Sequence, residues 1–364
     1  MTFKRALAAA AAAAVLLGGA YAGFLGHRSQ HPVSLAPDGP FRVGRAVHDV
    51  ADRSRTDELA PVGGNPRVLS IMLWYPAAAT GGTPAEYAPG AWAQLHRFGW
   101  AETNFTNITT GTYDDAPLAA GTFPIVVLLP GLGYSAPQYA ALAARLASRG
   151  YLVAGVTPTY SAKLSVIGAD PVLGSAAGHP GDLAGPAGDR LTTVWADDAR
   201  FAAGRVAVLL GTHADADQVT YLGHGFGGAA ALEACRTDGS CRGAADLDGP
   251  PYGQVVTDGL AKPLLLLSAG ENGAAGDLRT RQMFAVGGTQ AWAYTIAHAG
   301  RLDFTDYGAY WLAAPVRQVL GLGNARTLPI TVDYLAAFLA TVTAGAPWRA
   351  PAEPGTRETE IIID

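Results

Sequence analysis

Residues 219–228, Val-Thr-Tyr-Leu-Gly-His-Gly-Phe-Gly-Gly, decide the fold of this chain. A short β-branched and aromatic run ends here in a glycine-rich turn, and the small residues at 229–234 predict a helix directly after it. A strand, a sharp turn and a helix in this order are the layout of a nucleophile elbow, Gly-x-Ser-x-Gly. The central position, however, is Gly225, and a glycine carries no nucleophile.

Glycine is favoured at the three elbow positions 223, 225 and 227 for different physical reasons. Gly223 and Gly227 are expected because the turn brings the strand and helix backbones so close that a side chain would clash. The residue at the centre of such a turn has a strained backbone, at a cost of about 1–3 kcal/mol, which a glycine avoids. The sequence therefore predicts that Gly225 preserves the fold and that any loss is chemical.

Outward from the elbow, strands and helices alternate. We predict strands at 67–75, 124–129, 151–156, 219–222, 243–247, 263–267 and 291–296, and helices at 138–148, 191–210 and 329–342. The Gly- and Pro-rich segments 77–122 and 161–190 are predicted to be long irregular excursions. This alternation predicts an α/β chain with one doubly wound, mostly parallel sheet and helices on both faces, the α/β-hydrolase fold.

Composition limits the possible functions. The chain has 364 residues, of which 49% are apolar, so it can bury a large core. Its net charge of −5 gives no basic face, and we expect no nucleic-acid partner. The sequence leads us to expect neither a metal nor a cofactor.

The N-terminus has the features of an export segment. Lys4 and Arg5 precede an Ala/Val/Leu/Gly run that extends to Gly26, and the triplet Ala-Tyr-Ala at 20–22 fits a cleavage site. We therefore expect an extracytoplasmic protein, either secreted or held at the membrane by this segment. The predicted division is a signal peptide or signal-anchor at 1–26, a linker at 27–40, an α/β-hydrolase domain at 41–345 and a C-terminal tail at 346–364.

Cys235 and Cys241 are the two cysteines of the chain. They flank a turn-like segment between a predicted helix and the next strand. In an exported protein they are candidates for a disulfide, with buried free thiols as the alternative.

The order of residues after the elbow predicts the rest of a catalytic site. In such sheets the site lies beyond the carboxyl ends of the strands, and the acid and base follow the nucleophile in chain order. Asp248 at the end of a strand is the predicted acid, in preference to Asp246, which lies deeper in the sheet. The base position falls on the loop after the last strand, at His298 or, where a histidine has been replaced, at Arg301.

Backbone donors complete the predicted site. The N–H groups of Phe226, directly after the elbow centre, and of Leu132, in the Gly-Leu-Gly turn, are the predicted oxyanion hole. Such donors survive the loss of a nucleophile.

The chain resembles the platelet-activating-factor acetylhydrolase-like α/β-hydrolases over most of 41–345. The resemblance is carried by Trp195 with Asp198, and by the segments LWYPA at 73–77, PIVVLLPGLG at 124–133, LASRGYLV at 146–153, GHGFGG at 223–228, ADLD at 245–248 and FTD at 304–306. It implies a carboxylic ester or lipid hydrolase. In this family the catalytic histidine stands three residues before the phenylalanine of the last segment, and that position is Arg301 here.

With two triad members replaced, the resemblance implies a catalytically degenerate protein. We expect an exported ligand-binding or scaffold protein for a small ester or lipid-like molecule, with a possible membrane association through its N-terminal segment. One alternative is an active esterase in which His298 activates a water at the vacant serine position.

A second alternative is a dinucleotide site. Residues 223–228 also match Gly-x-Gly-x-x-Gly, and Asp246 or Asp248 follows at about the spacing of a ribose-binding acid. Several strands precede this segment, however, whereas the fingerprint normally opens its domain. The hydrolase interpretation is therefore preferred.

Overall fold

A computed structural model describes residues 2–183, 185–270, 273–288, 290–317 and 319–359. Met1 of the predicted export segment and residues 360–364 of the predicted tail lie outside the described residues. Residue 184 of the predicted excursion 161–190 lies outside them as well.

One large sheet organises the described chain. Its strands are Arg42–Thr56 (β1), Pro66–Ala77 (β2), Thr83–Pro84 (β3), Thr112–Asp114 (β4), Phe123–Leu129 (β5), Leu152–Thr157 (β6), Ala214–His224 (β7), Cys241–Leu247 (β8), Leu264–Ala269 (β9), Ala291–Ile296 (β10) and Thr356–Glu358 (β11). The spatial order is β11-β10-β9-β8-β7-β5-β6-β2-β1-β4-β3. The six neighbours from β10 to β6 are parallel, while β2 pairs with β6 and β1 in antiparallel fashion.

Helices cover both faces of this sheet. They are Thr2–Arg28 (α1), Ala140–Ala147 (α2), Pro186–Leu210 (α3), Phe226–Thr237 (α4), Val255–Asp258 (α5), Leu278–Ala285 (α6), Tyr307–Tyr310 (α7) and Thr327–Ala344 (α8). Buried residues of α2 and α8 share one apolar core, and those of α3 and α4 share the core on the opposite face. The central strand β5 is apolar along its length because both of its faces are covered. The predicted fold class is confirmed.

The sequence analysis missed part of the sheet. It predicted β2 but not β1, a 15-residue strand with four arginines and two aspartates that pairs with β2. Within the predicted excursion 161–190, Leu164–Ile167 and Asp170–Leu173 form an antiparallel hairpin. The polar residues of β1 hid that strand, since one of its faces is exposed to solvent, and the hairpin strands are only four residues long within a Gly- and Pro-rich segment.

The predicted linker 27–40 is packed against the domain. Leu35 is buried, Val33–Ser34 pairs with Ile108–Thr109, and the N–H of Gly39 donates to Ser148 Oγ at 3.0 Å. Cys235 and Cys241 form a disulfide that joins the end of α4 to the start of β8. Of the two states that the sequence left open, the structure shows the bridge.

Helix α1 differs from the helices of the domain. Its segment Arg5–Arg28 is long and apolar enough to cross a membrane, with a mean hydropathy of 1.8, and it is unburied in its apolar window. Such a helix has the properties of a signal sequence or an anchor. Helix α8 passes the same test of length and composition, but much of it lies in the core.

Candidate active site

The elbow forms where β7 meets α4. Gly225 lies between them with φ 55° and ψ −121°, and its N–H donates to Leu247 O at 2.8 Å. This left-handed region is one that a non-glycine residue enters only with strain. The elbow geometry is therefore complete in the backbone, although the central side chain is missing.

Steric conditions differ sharply among the elbow glycines. A Cβ on Gly223 would lie 2.0 Å from Gly227 O, and one on Gly227 would lie 2.4 Å from Leu129 O. A Cβ on Gly225 would instead have Arg301 Nη1 at 3.7 Å as its nearest neighbour, an ordinary contact. Packing thus requires glycine at 223 and 227, whereas position 225 has room for a side chain.

Asp248 occupies the predicted acid position. It follows β8, is buried, and has φ 58°. Its Oδ1 accepts hydrogen bonds from the N–H groups of Ala269 and Ala274, each at 3.0 Å. Burial raises the pKa of the Asp248 carboxyl, while the Ala269 N–H, the Arg301 charge and the Ala274 N–H oppose that shift. These donors fix the direction in which the carboxylate points.

Arg301 occupies the base position and contacts the acid. Its Nε lies 3.5 Å from Asp248 Oδ2, and its Nη1 faces the space above Gly225. The guanidinium therefore lies between the acid and the elbow centre, where an imidazole of a triad would stand. Its side chain is 56% exposed, so the charge is also open to a ligand from solvent.

The alternative residues lie elsewhere. Asp246 is fully buried beneath the elbow, where its Oδ1 accepts from Gly249 N at 2.9 Å, and burial raises its pKa well above the ordinary value. His298 is exposed, and in the described part of the chain no ion pair joins it to Asp248. The structure brings Gly225, Asp248 and Arg301 together and leaves His298 outside this group.

Both predicted oxyanion donors lie next to the elbow. Phe226 is the first residue of α4, and Leu132 lies in the turn after β5. Neither N–H donates to a protein acceptor within the residues that the structure describes. Two unpaired N–H groups at this edge of the sheet suit an oxygen that carries negative charge.

A buried tyrosine ties the Leu132 turn to the elbow. The Tyr139 hydroxyl accepts from Gly131 N at 2.9 Å and lies 2.7 Å from His224 Nδ1. Burial, together with the nearby Arg301 charge, lowers the pKa of His224 to about 3, so its ring is neutral. The sequence analysis did not assign Tyr139 this positioning contact, and its place in an apolar helical pattern gives no signal of it.

Asp306 anchors the loop that carries Arg301. Its carboxyl is fully buried, with Oδ1 3.2 Å from Ala141 N in α2 and Oδ2 3.1 Å from the Tyr87 hydroxyl. Burial raises the pKa of Asp306 to about 7. The sequence analysis used this aspartate only as a family marker, whereas the structure shows what it holds in place.

The sheet, its helices and the turn at Gly225 define an α/β-hydrolase fold, and Leu132, Phe226 and Asp248 lie at the positions predicted for the oxyanion donors and the acid. Comparison of the chain with known protein families and solved structures then shows what it is similar to. Residues 65–167 match the sequence profile of platelet-activating factor acetylhydrolase, isoform II, as the sequence analysis predicted. No curated protein matches the chain.

The solved structures that resemble the chain include the following two. The ferulic acid esterase from Streptomyces cinnamoneus has a TM-score of 0.78 and 27% identity, over 90% of this chain and 99% of the esterase. A dienelactone hydrolase-like promiscuous phosphotriesterase from metagenomic libraries has a TM-score of 0.52 and 14% identity, over 82% of this chain and 99% of its own. The second shows the fold alone, and the first supports an esterase-like relative.

Proposed function

We propose that this chain is an exported α/β-hydrolase-fold protein that binds an ester, or the carboxylate derived from it, at the elbow without hydrolysing it. The observation that carries the proposal is the arginine between Asp248 and Gly225. Neither a nucleophile nor a base stands at the two positions where an acyl transfer needs them.

The electrostatics of the site favour binding of an anionic or strongly polarised oxygen. The N–H groups of Leu132 and Phe226 provide two donors, and Arg301 adds a cation on the same side of Gly225. An arginine fork matches the two oxygens of a carboxylate. An ester carbonyl would use the same N–H donors with a weaker contribution from the cation.

Extracytoplasmic location is part of the proposal. Its support is the unburied apolar helix α1 and the disulfide between Cys235 and Cys241. Disulfides form and persist in oxidising compartments.

The test uses ferulic acid and methyl ferulate, because a similar structure is a ferulic acid esterase. We expect titration calorimetry to show binding of the acid and chromatography to show no hydrolysis of the ester. Arg301→Ala should weaken binding of the acid by about tenfold, which corresponds to one charge-assisted contact. Arg326→Ala is the matched control, since Arg326 is also exposed and paired with an acid, Glu353.

Two results would contradict the proposal. One is turnover of methyl ferulate above the rate in buffer. The other is an equal loss of ferulic acid binding in both arginine variants, which would place the ligand away from the elbow. If neither compound binds, acetate and a short-chain phosphatidylcholine test the carboxylate and lipid ester classes in the same assay, and failure of all four ligands would refute binding at this site.

A further inference from the structure

A cavity lies in the segment between β3 and β4. We call it the 84–109 cleft, because residues between Pro84 and Thr109 line it. Its volume is about 650 Å³, within the range of small-molecule sites. Tyr87, Phe105 and Ile108 contribute buried side chains to its wall. Ala93, which is exposed to solvent, also lines the cleft.

Aromatic rings separate this cleft from the elbow. Burial raises the pKa of Tyr134, and the nearby Arg301 charge opposes that shift. The ring centroids of Tyr134 and Tyr307 are 6.1 Å apart. Tyr307 contacts Tyr310 at 5.0 Å, and Tyr310 contacts Phe105 of the cleft at 5.3 Å between centroids. The rings are packed edge to face or tilted, so they form a wall between two distinct sites.

The charge of the 84–109 cleft disfavours an anion. None of the lining residues that the structure describes is lysine or arginine, and Glu86 and His96 are among them. Behind His96 lies the buried Glu102, whose Oε2 is 4.0 Å from His96 Nε2. A free carboxylate or phosphate would meet no lysine or arginine among the described lining residues, whereas an apolar chain can pack against Tyr87, Phe105 and Ile108.

The cleft is next to the point where α1 leaves the domain. The N–H of Asn104, which lines the cleft, donates to Ser29 O at 2.9 Å, directly after α1. The last turn of α1 is held by Leu25, which is buried in the same apolar core as Phe105. The apolar window of α1 within Arg5–Arg28 is unburied.

Exposed aromatic side chains lie beside the same point. Phe98 and Trp100 are 51% and 54% exposed, on the segment that contacts α1 through Gly99–Ala101. Tryptophan is enriched at the boundary between a bilayer and water. With α1 in a bilayer, this face of the domain would therefore rest at the membrane surface.

We propose that the 84–109 cleft binds an acyl chain of a membrane lipid while α1 holds the domain at the bilayer. The proposal goes beyond the elbow site and does not depend on the function assigned to that site. The buried apolar part of the wall, the absence of lysine and arginine among the described lining residues, and the position at the base of α1 together favour a neutral hydrocarbon chain.

The test uses the full chain in phosphatidylcholine vesicles that contain a phosphatidylcholine with a diazirine on one acyl chain. After illumination, mass spectrometry should locate lipid adducts on peptides that cover 84–109, in addition to α1. Ala93→Trp fills the cleft and should lower its labelling by about tenfold, equivalent to about 1.4 kcal/mol of lost binding. Gln94→Trp is the matched control, since Gln94 is exposed on the same turn but does not line the cleft.

Two outcomes would overturn the proposal. Adducts confined to α1 would show that lipid does not enter the cleft. Equal labelling of 84–109 in the Ala93→Trp and Gln94→Trp variants would show that the adducts report surface contact. Arg301→Ala should leave this labelling unchanged, so the result is independent of ligand binding at the elbow.

Discussion

The elbow around Gly225 and the loop that carries Arg301 face each other across the site, and they differ from a hydrolase site in opposite ways. At the elbow a side chain is missing while the backbone keeps its shape. In the loop a larger, charged side chain takes the base position and contacts the acid, Asp248. The comparison shows that the fold constrains the two halves differently.

The elbow is constrained by its backbone. A Cβ on Gly223 or Gly227 would overlap main-chain atoms that have no room to move. Glycine is therefore required at both positions whether or not position 225 reacts. The loop is constrained by buried acids instead. Asp303 Oδ2 accepts hydrogen bonds from the N–H groups of Gly300 and Gly323. Asp306 Oδ1 accepts one from Ala141 N in α2. Position 301 projects from this frame, so its side chain is replaceable without disturbing the fold.

The largest expected effect comes from restoring both halves. Gly225→Ser with Arg301→His should give ester hydrolysis about 10³-fold or more above the parent, because triad members act as a unit. An organophosphonate probe, followed by intact-protein mass spectrometry, should label the double variant at residue 225.

The single variants are the controls for that gain. Gly225→Ser alone has a hydroxyl without a base, and Arg301→His alone has a base without a nucleophile, so both should stay near the parent. A folded double variant that neither reacts with the probe nor hydrolyses the ester would show that Asp248, position 301 and position 225 do not form a triad.

The next effect concerns stability at the elbow. Gly223→Ala should lower the free energy of unfolding by more than about 3 kcal/mol, because its Cβ would overlap the main chain. Gly225→Ala should cost only about 1–3 kcal/mol, from its backbone strain. Urea unfolding monitored by fluorescence measures both, and equal costs would refute the open space that we describe above Gly225.

The most gradual effect concerns the loop and its titration. The pKa of Asp306 is raised to about 7 in the folded protein, above its ordinary value of 3.8. The folded state therefore holds a proton that the unfolded state releases between these values. This contribution to stability is fully present below pH 3.8 and is lost as the pH rises through 7, by at most about 1.4 kcal/mol per pH unit.

Asp306→Asn should flatten this part of the pH dependence. The free energy of unfolding between pH 4 and 7 measures it, and Glu102→Gln is the comparison because burial also raises the pKa of Glu102 to about 7. The Gly225 variants should keep the parent slope, since the elbow is held by main-chain contacts. An unchanged slope in Asp306→Asn would show that this carboxyl does not titrate in that window.

Most of the parallel sheet was predictable from the sequence. Buried strands such as β5 and β9 are largely continuous apolar runs, and the glycine turn at 223–228 has few alternative structures. Strand β1 was not predictable in this way, because its partial exposure leaves a polar pattern. A continuous apolar run indicates a strand that is buried on both faces. A strand near the edge of the sheet is only partly buried, so its sequence lacks this pattern.

The site was predictable in chain order but not in its contacts. Asp248 and position 301 follow from strand ends and from the family resemblance. That Arg301 would point at Asp248, and not into solvent, depends on the loop frame made by Asp303 and Asp306. Such long-range contacts leave no local signal in the sequence, and neither does the 84–109 cleft.

The burial of Leu25 has a consequence for the fate of the N-terminus. Leu25 lies three residues after Ala22, the end of the small-residue triplet. A signal peptidase needs this stretch in an accessible, extended form, whereas the folded domain holds it as the last turns of α1. Under the proposed export, cleavage and folding would compete in time: cutting before folding would release the domain from α1, and folding first would protect the peptide bond and keep α1 attached.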